Sequence, residues 1–192
     1  MGKRERRINQ TQFEIRTLDD GKTIVLEGYA LKFGKRSEDF GGVDEILERG
    51  CLDKTDMSNV VALINHDPNY PLARNTVREG PGHMELSVDD KGLRFSLIPT
   101  DTAYAKDLMT NMAAGVVNQC SFAFTLAENG ADWSYESEKE MYHRAVKHIE
   151  RLWDVSIVTT PAYPDTEAHR RAIQAVYIEI YLVDMHEIVF YF

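Results

Sequence analysis

Cysteine is scarce in this sequence, which contains only Cys51 and Cys120, far apart along the chain. Neither cysteine belongs to a Cys-x-x-Cys pair or to a Cys/His spacing typical of metal ligands. The sequence therefore indicates neither a disulfide scaffold nor a zinc module, and no cofactor is implied. With 192 residues, one domain can bury a core without such cross-links. We expect free thiols and a reducing compartment.

Long apolar runs are also missing. No stretch reaches the ~20 consecutive apolar residues that a membrane-spanning helix needs. The N-terminal region has no apolar segment typical of a secretory signal. We therefore expect a soluble cytoplasmic protein without a membrane partner.

Positive charge is in deficit, with 22 Lys and Arg against 31 Asp and Glu and a formal net charge of −9. Such a balance repels a phosphate backbone, so nucleic acid is not expected as a partner. Basic residues cluster only at the start of the chain, at Lys3, Arg4, Arg6 and Arg7. We predict that residues 1–12 form a mobile, solvated tail.

Strand patterns dominate the remaining chain. Alternating apolar residues flanked by Asp, Gly and Lys predict hairpins over 13–33 and 84–97. Apolar runs predict further strands over 60–64, 119–125 and 149–160. The hydrophobic content of 43% fits a globular core.

Helical patterns are fewer. Asp101 or Thr102 can cap a helix over 103–114, and a second predicted helix runs from about 165 to 176. Asp44 is predicted to cap a short helical turn through residues 46–48. The polar interval 128–140 is predicted to be a mobile loop, and residues 177–192 are a tail of uncertain structure.

Ser121 is the candidate nucleophile. In a strand, Cys120, Phe122 and Phe124 share the face that belongs in the core, so Ser121 lies on the opposite face beside the small Ala123. The same alternation makes Cys120 a buried structural thiol. A serine on the exposed side of a sheet is the competing interpretation.

His66 follows the apolar run 60–64 directly and is the candidate general base. A serine hydroxyl is a weak nucleophile at neutral pH unless an imidazole takes its proton. A structural, hydrogen-bonded histidine is the alternative. The neighbouring Asp67 would point away from His66 in a continued strand, so the residue that orients the imidazole should come from elsewhere.

Asp154 is the candidate for that role. A carboxylate inside the apolar run 152–158 must be paired or solvated. An ion pair with Arg94 or Arg151 is equally compatible with the pattern. Strict alternation also places a further acid and a histidine on the same strand face, and these fallback candidates are Glu150 and His148.

The order of these segments resembles a known family. The matching elements are Gly28-Tyr29-Ala30, Asn65-His66-Asp67, Gly92-Leu93-Arg94-Phe95, Ser121-Phe122-Ala123-Phe124, Leu152-Trp153-Asp154-Val155-Ser156 and Thr160-Pro161-Ala162-Tyr163. Together they resemble the prohead maturation proteases of tailed phages, serine peptidases distantly related to the herpesvirus assembly protease. The chain departs from the family pattern at Ala73 and Ala123, where glycine is common.

The resemblance implies an α+β fold. It would be a β-rich single domain over 13–176 with an antiparallel barrel-like core flanked by a few helices. It also implies acyl transfer, with Ser121 as nucleophile, His66 as general base and Asp154 as the third member.

The resemblance further implies a serine endopeptidase that cuts scaffold segments of the major capsid protein, and the protease itself, inside the procapsid in the bacterial host cytoplasm. The resemblance is also compatible with a homo-oligomer. Two alternatives have no turnover: a capsid assembly or scaffolding factor that retains the protease fold, and a β-barrel ligand binder in which residues 66, 121 and 154 are unrelated.

Overall fold

The fold is known from a computed structural model that describes residues 4–10, 14–18, 23–39 and 41–159. These ranges contain twelve strands and one helix. In chain order they are β1 (Arg4–Gln10), β2 (Glu14–Thr17), β3 (Ile24–Lys32), β4 (Val43–Leu47), β5 (Val61–Ile64), β6 (Asp67–Arg74), β7 (Met84–Val88), β8 (Gly92–Leu97), α1 (Ala103–Ala113), β9 (Gln119–Leu126), β10 (Ala131–Glu136), β11 (Met141–Val146) and β12 (Ile149–Val158).

The central sheet has the strand order β1-β9-β12-β5-β6. Its strands pair antiparallel except β12 and β5, which run parallel. The parallel pairing aligns Ile64 with Ile157, so the residues that follow β5 lie beside the C-terminal end of β12. The predicted strands over 60–64, 119–125 and 149–160 are confirmed as the three inner strands of this sheet.

A second sheet contains both predicted hairpins in the order β2-β3-β8-β7. β2 pairs antiparallel with β3, and β7 with β8, as the alternation of the sequence predicts. The turn predicted over 19–22 lies outside the described residues. The fully buried Leu26 and Phe95 of this sheet join Phe122 and Phe124 of β9 in one hydrophobic core.

The third sheet, β10-β11-β4, corrects two predictions. Residues 43–47 form a strand and not a helical turn, because β4 pairs in parallel with β11. Most of residues 128–140 belong to β10 and the turn before β11, and not to a mobile loop. Local capping signals at Asp44 favoured a helix, but pairing with a distant strand overrides such preferences. In the structure, Asp44 instead accepts hydrogen bonds from Arg36 and His143.

The predicted helix over 103–114 is confirmed as α1. Thr102 is the N-cap, and its hydroxyl accepts the N–H of Ala105 at 3.4 Å. Leu108, Met109 and Met112 are buried along one face. The second predicted helix, over about 165–176, and the tail 177–192 lie outside the described residues.

The N-terminal segment differs from the predicted mobile tail. Residues 4–10 form β1, which pairs antiparallel with β9 along its whole length. Glu5 and Arg7 make ion pairs with the third sheet, which a solvated tail would not make. The strand therefore belongs to the domain, although it precedes the predicted boundary at residue 13.

The described residues thus form one β-rich domain, as predicted, with a single helix. Three sheets surround the core, and within the described ranges they do not close into a barrel. No helix in these ranges is long and apolar enough to cross a membrane.

Candidate active site

His66 lies in a tight turn and not at a strand end. Asn65 and His66 are the two linking residues between β5 and β6, whose nearest pair is Ile64 and Asp67. Both linking residues have positive φ, 52° for Asn65 and 58° for His66. Two positive φ values are typical of a type I′ hairpin turn. A histidine in this conformation is strained, and such strain is concentrated at functional sites.

Three hydrogen bonds fix this turn against the end of β12. The N–H of Asn65 donates to the carbonyl of Ile157 at 2.9 Å. The side-chain oxygen of Asn65 accepts the N–H of Thr159 at 3.2 Å. The N–H of His66 donates to the hydroxyl of Ser156 at 3.2 Å. The imidazole is therefore held in place by both its own backbone and that of the preceding residue.

Ser121 lies on β9 opposite to the aromatic core face, as alternation predicts. Its cross-strand partner on β12 is Ser156, and the next same-face pair is Ala123 with Asp154. Cys120 lies in the hydrophobic core. Burial is the main cause that raises the pKa of the Cys120 thiol far above its usual range. Cys120 is therefore an inert thiol, as the sequence predicts.

β12 departs from the strict alternation that the sequence analysis assumed. Its pairing with β9 shifts between Ile149 and Arg151 and again between Leu152 and Asp154. Each irregularity adds one residue to β12. The residues before it therefore lie on the opposite face of the sheet from the one that strict alternation assigns to them. Leu152 consequently packs in the core while Asp154 faces the site.

The fallback candidates on β12 do not reach the site. Glu150 is exposed, and no hydrogen bond joins Glu150 or His148 to His66 in the described structure. The alternative ion pairs for Asp154 are not formed either. Arg94 pairs with Glu27, and Arg151 with Asp56.

Ser121, His66 and Asp154 form a continuous hydrogen-bonded row. The Nε2 atom of His66 lies 2.6 Å from the Ser121 hydroxyl, and its Nδ1 atom lies 2.6 Å from Oδ1 of Asp154. A carboxylate only accepts, so Nδ1 carries the proton and Nε2 of the neutral ring is left to accept one. This is the arrangement in which an imidazole can take a proton from a serine.

Ser156 is a fourth member that the sequence analysis did not single out. Its hydroxyl donates to Oδ1 of Asp154 at 2.8 Å and lies 3.2 Å from Nδ1 of His66. It is fully buried. The sequence feature that could have identified Ser156 is its position two residues after Asp154, on the same strand face.

The hydroxyl of Ser121 has a second partner, the backbone carbonyl of Arg7 in β1, at 2.9 Å. The Ser121 residue is 0% exposed. In the described residues there is no group of three or more His, Cys, Asp and Glu side chains that could hold a metal ion.

The comparison with protein families decides the relationship. Residues 11–178 match the family model described as caudovirus prohead serine protease. The chain belongs to this prohead protease family. The match extends over most of the chain and spans all three members of the hydrogen-bonded row.

A solved structure has the same fold as this prohead protease family member. It is the bacteriophage T4 capsid assembly protease, gp21, which is 12% identical in sequence with a TM-score of 0.50. The alignment covers 82% of this chain and 99% of the T4 protein. No curated protein matches the sequence. At this identity the likeness supports the fold, and the family match supports a protease of the serine type.

Proposed function

We propose that this protein is a serine endopeptidase that cleaves scaffold segments of capsid protein during procapsid maturation. Ser121 attacks the peptide carbonyl, His66 takes the proton, and Asp154 orients the imidazole. The single observation that carries this assignment is the row of two 2.6 Å contacts through His66. It joins three residues from β9, the β5–β6 turn and β12.

The proposed reaction is acyl transfer in two steps. Oγ of Ser121 bonds to the substrate carbonyl carbon while Nε2 of His66 accepts the hydroxyl proton. The peptide C–N bond then breaks, and the imidazolium gives that proton to the leaving amine. Water attacks the acyl-enzyme with His66 again as base, which releases the second product and restores the Ser121 hydroxyl.

The low exposure of the row strengthens its electrostatics. The side chains of His66 and Asp154 are only 8% and 3% exposed. The charge on Asp154 is consequently poorly screened where the imidazolium forms. Asp154 accepts hydrogen bonds from both His66 and Ser156, so its buried side-chain oxygen has partners inside the sheet.

The proposed substrates and location follow from the family. A prohead protease acts on capsid or scaffold segments and on itself, and it works in the procapsid interior within the host cell. Confinement with the substrate supplies a high effective concentration, so strong substrate affinity is not required.

A second candidate is a non-catalytic assembly factor that retains the protease fold. The observation that favours it is the complete burial of Ser121, whose hydroxyl also donates to the Arg7 carbonyl of β1. In that case the hydrogen-bonded row would be structural, and the protein would never process its partner.

Coexpression with the cognate major capsid protein separates the two candidates. We expect Ser121→Ala and His66→Ala each to abolish the cleavage products seen by mass spectrometry. Ser134→Ala and His83→Ala are the matched controls, since the first side chain is exposed on β10 and the second bonds only the Val77 carbonyl. Unchanged products with Ser121→Ala would refute the endopeptidase.

A further inference from the structure

β7 is an outer strand of the second sheet, and within the described residues no strand pairs with its far side. Its partner is β8, in a register that aligns Leu86 with Phe95. An unpaired strand edge presents a row of backbone N–H and C=O groups that can pair with another extended chain. The far side of β7 is therefore a surface to which a strand can be added.

Two backbone hydrogen bonds at the ends of β7 show which of its residues face outward. Just before the strand, the N–H of Ile98 donates to the carbonyl of His83 at 2.9 Å. Just after it, the N–H of Asp89 donates to the carbonyl of Gly92 at 3.0 Å. Hydrogen-bonded pairs in an antiparallel ladder recur at every second residue, so these two bonds fix the direction of the backbone groups between them.

The backbone groups of β7 alternate in direction between these two bonds. Those of Glu85 and Ser87 point to β8. Those of Met84, Leu86 and Val88 point away from β8. Within the described residues, no further backbone hydrogen bond reaches these three residues. The free edge therefore offers three N–H groups and three carbonyls in one row.

β7 lacks the features that protect the other outer strands. Proteins commonly protect sheet edges with proline, with charged side chains or with a covering segment. β6 contains Pro68 and Pro71, and residues 34–37 cover β4 through backbone hydrogen bonds. β1, β2 and β10 each contain two or more charged side chains. β7 has no proline and one charged residue, Glu85, so its edge is the least protected of these.

The sequence of β7 is complementary to itself in one antiparallel register. Leu86 lies at the centre, opposite Leu86 of a second copy. Met84 then lies opposite Val88 of that copy. All three residues have outward backbone groups, so each of these pairs can exchange both of its backbone hydrogen bonds.

Charges select this register over its two neighbours. Leu86 at the centre places Glu85 opposite Ser87 of the second copy, and it places His83 opposite Asp89. A shift that centres Glu85 would set two Glu85 carboxylates opposite each other. A shift that centres Ser87 would set Glu85 opposite Asp89. Like charges directly opposite destabilise a strand pair, and the register centred on Leu86 avoids both cases.

A cleft of about 540 Å³ lies beside the same edge. Met57, Met84 and Leu86 are among the residues that line it, and no residue of β8 does. Met57 and Leu86 are partly buried and pack on the core. Val88 is 47% exposed, and in the second copy it would lie opposite Met84 on the face where the cleft opens. Pairing would cover this apolar side chain in both copies.

We propose that two copies of this chain associate through antiparallel pairing of their β7 strands, with Leu86 on the two-fold axis. The contact joins two four-stranded sheets into one continuous sheet. The hydrogen-bonded row lies on the central sheet, so its residues are not part of this contact. A short strand pair buries little area, and small interfaces are typical of weak association that depends on concentration.

Sedimentation equilibrium of the full chain over a wide range of concentrations measures this association. We expect a monomer–dimer equilibrium. Ser87→Glu should raise its Kd roughly tenfold, because it sets a carboxylate opposite Glu85 twice in the dimer. Within one chain Ser87 is exposed and lies opposite Arg94, so the added charge does not disturb the fold. Ser134→Glu is the matched control, since it adds the same charge at an exposed position of β10 and should leave the Kd unchanged.

Ser87→Lys tests the same contact with the opposite sign. It sets an ammonium opposite Glu85 of the second copy, so the Kd should fall roughly threefold. A substitution that only disturbed the fold would not strengthen the dimer.

Disulfide crosslinking tests the register. In the proposed dimer, Glu85 and Ser87 of the two copies form a non-hydrogen-bonded pair with Cα atoms about 4.5 Å apart, which a disulfide can bridge. Under mild oxidation, a mixture of Glu85→Cys and Ser87→Cys should crosslink mainly as the mixed dimer, identified by mass spectrometry. Either variant alone should crosslink more slowly, because its two cysteines lie on a diagonal. The native Cys51 and Cys120 are buried and should not interfere.

Each contrary outcome overturns a stated part of the proposal. A chain that is monomeric at every concentration would overturn the dimer, and protection of the Leu86 N–H from hydrogen exchange in that monomer would place a segment of the same chain on the edge. Equal Kd values for Ser87→Glu and Ser134→Glu would move the contact to another surface. Mixed crosslinks that form no faster than those of either variant alone would overturn the register. None of these outcomes depends on proteolysis by Ser121.

Discussion

Ser156 receives the backbone N–H of His66 at 3.2 Å and lies 3.2 Å from Nδ1 of the same residue. The hydroxyl thus contacts both the backbone N–H and the imidazole of His66, while it donates to Asp154 at 2.8 Å. Ser156 connects the strained turn to the strand that carries the carboxylate. Its contacts are to His66 and Asp154, so we regard it as a positioning residue.

We expect Ser156→Ala to lower kcat about three- to tenfold with little change in KM, since it removes one hydroxyl donor to the carboxylate of Asp154 and one acceptor for His66. Kinetics on a cleavable capsid peptide would measure the two parameters. Ser156→Thr should recover part of the loss because it restores the hydroxyl. A higher KM with an unchanged kcat would contradict the positioning role.

Asp154→Asn should lower kcat by about 10³- to 10⁴-fold, because an amide can donate to Nδ1 and so favours the tautomer whose Nε2 cannot accept a proton. The matched control is Asp67→Asn, at a carboxylate next to His66 that bonds Asn69 instead. Rates are best compared by mass spectrometry of cleavage products. An Asp154→Asn protein with normal rates would remove Asp154 from the mechanism.

His66→Gly should be more stable than His66→Ala by about 1 kcal/mol, although both should be inactive. The cause is the φ of 58° at this position, which glycine adopts without the steric cost that Cβ imposes. Both variants lose the same imidazole contacts, so the difference isolates the backbone. Urea unfolding of the two proteins measures it, and equal midpoints would argue against the turn geometry.

The two cysteines should be unreactive in the folded protein. Burial raises the pKa of Cys51 to about 12, and it also raises the pKa of Cys120. Because a raised pKa keeps a thiol protonated, neither should react with a thiol reagent at pH 8 until denaturant is added. Cys120→Ala should retain proteolysis, whereas a loss of proteolysis in this variant would implicate the thiol.

The sequence predicted the strands and the helix well where local signals agree with the final pairing. Both hairpins have turn residues between alternating strands, and α1 has a capping threonine and an apolar face. At Asp44 the local signal favoured a helix, whereas the partner strand β11 is almost 100 residues away in sequence. No local pattern encodes such a partner, so β4 could not be predicted from its own residues.

The N-terminal strand illustrates the same limit. Arg4, Arg6 and Arg7 form a basic cluster in sequence, and such clusters are commonly solvated. Alternation in β1 separates them, so that Arg7 reaches the buried Glu45 while Arg6 is exposed. Pairing with β9 and ion pairs to Glu45 and Arg144 of another sheet make this segment an ordered strand beside Ser121.

Sequence alone determined the candidate residues Ser121, His66 and Asp154, because strand alternation separates Ser121 from the core and an acid inside an apolar strand needs a partner. The tertiary structure decided how they meet. The parallel pairing of β5 and β12 carries the turn of His66 to Asp154, and the extra residue before Asp154 lets Leu152 pack in the core while Asp154 faces the site. These are long-range pairings, and the free energy that selects them comes from the core and not from the segments themselves.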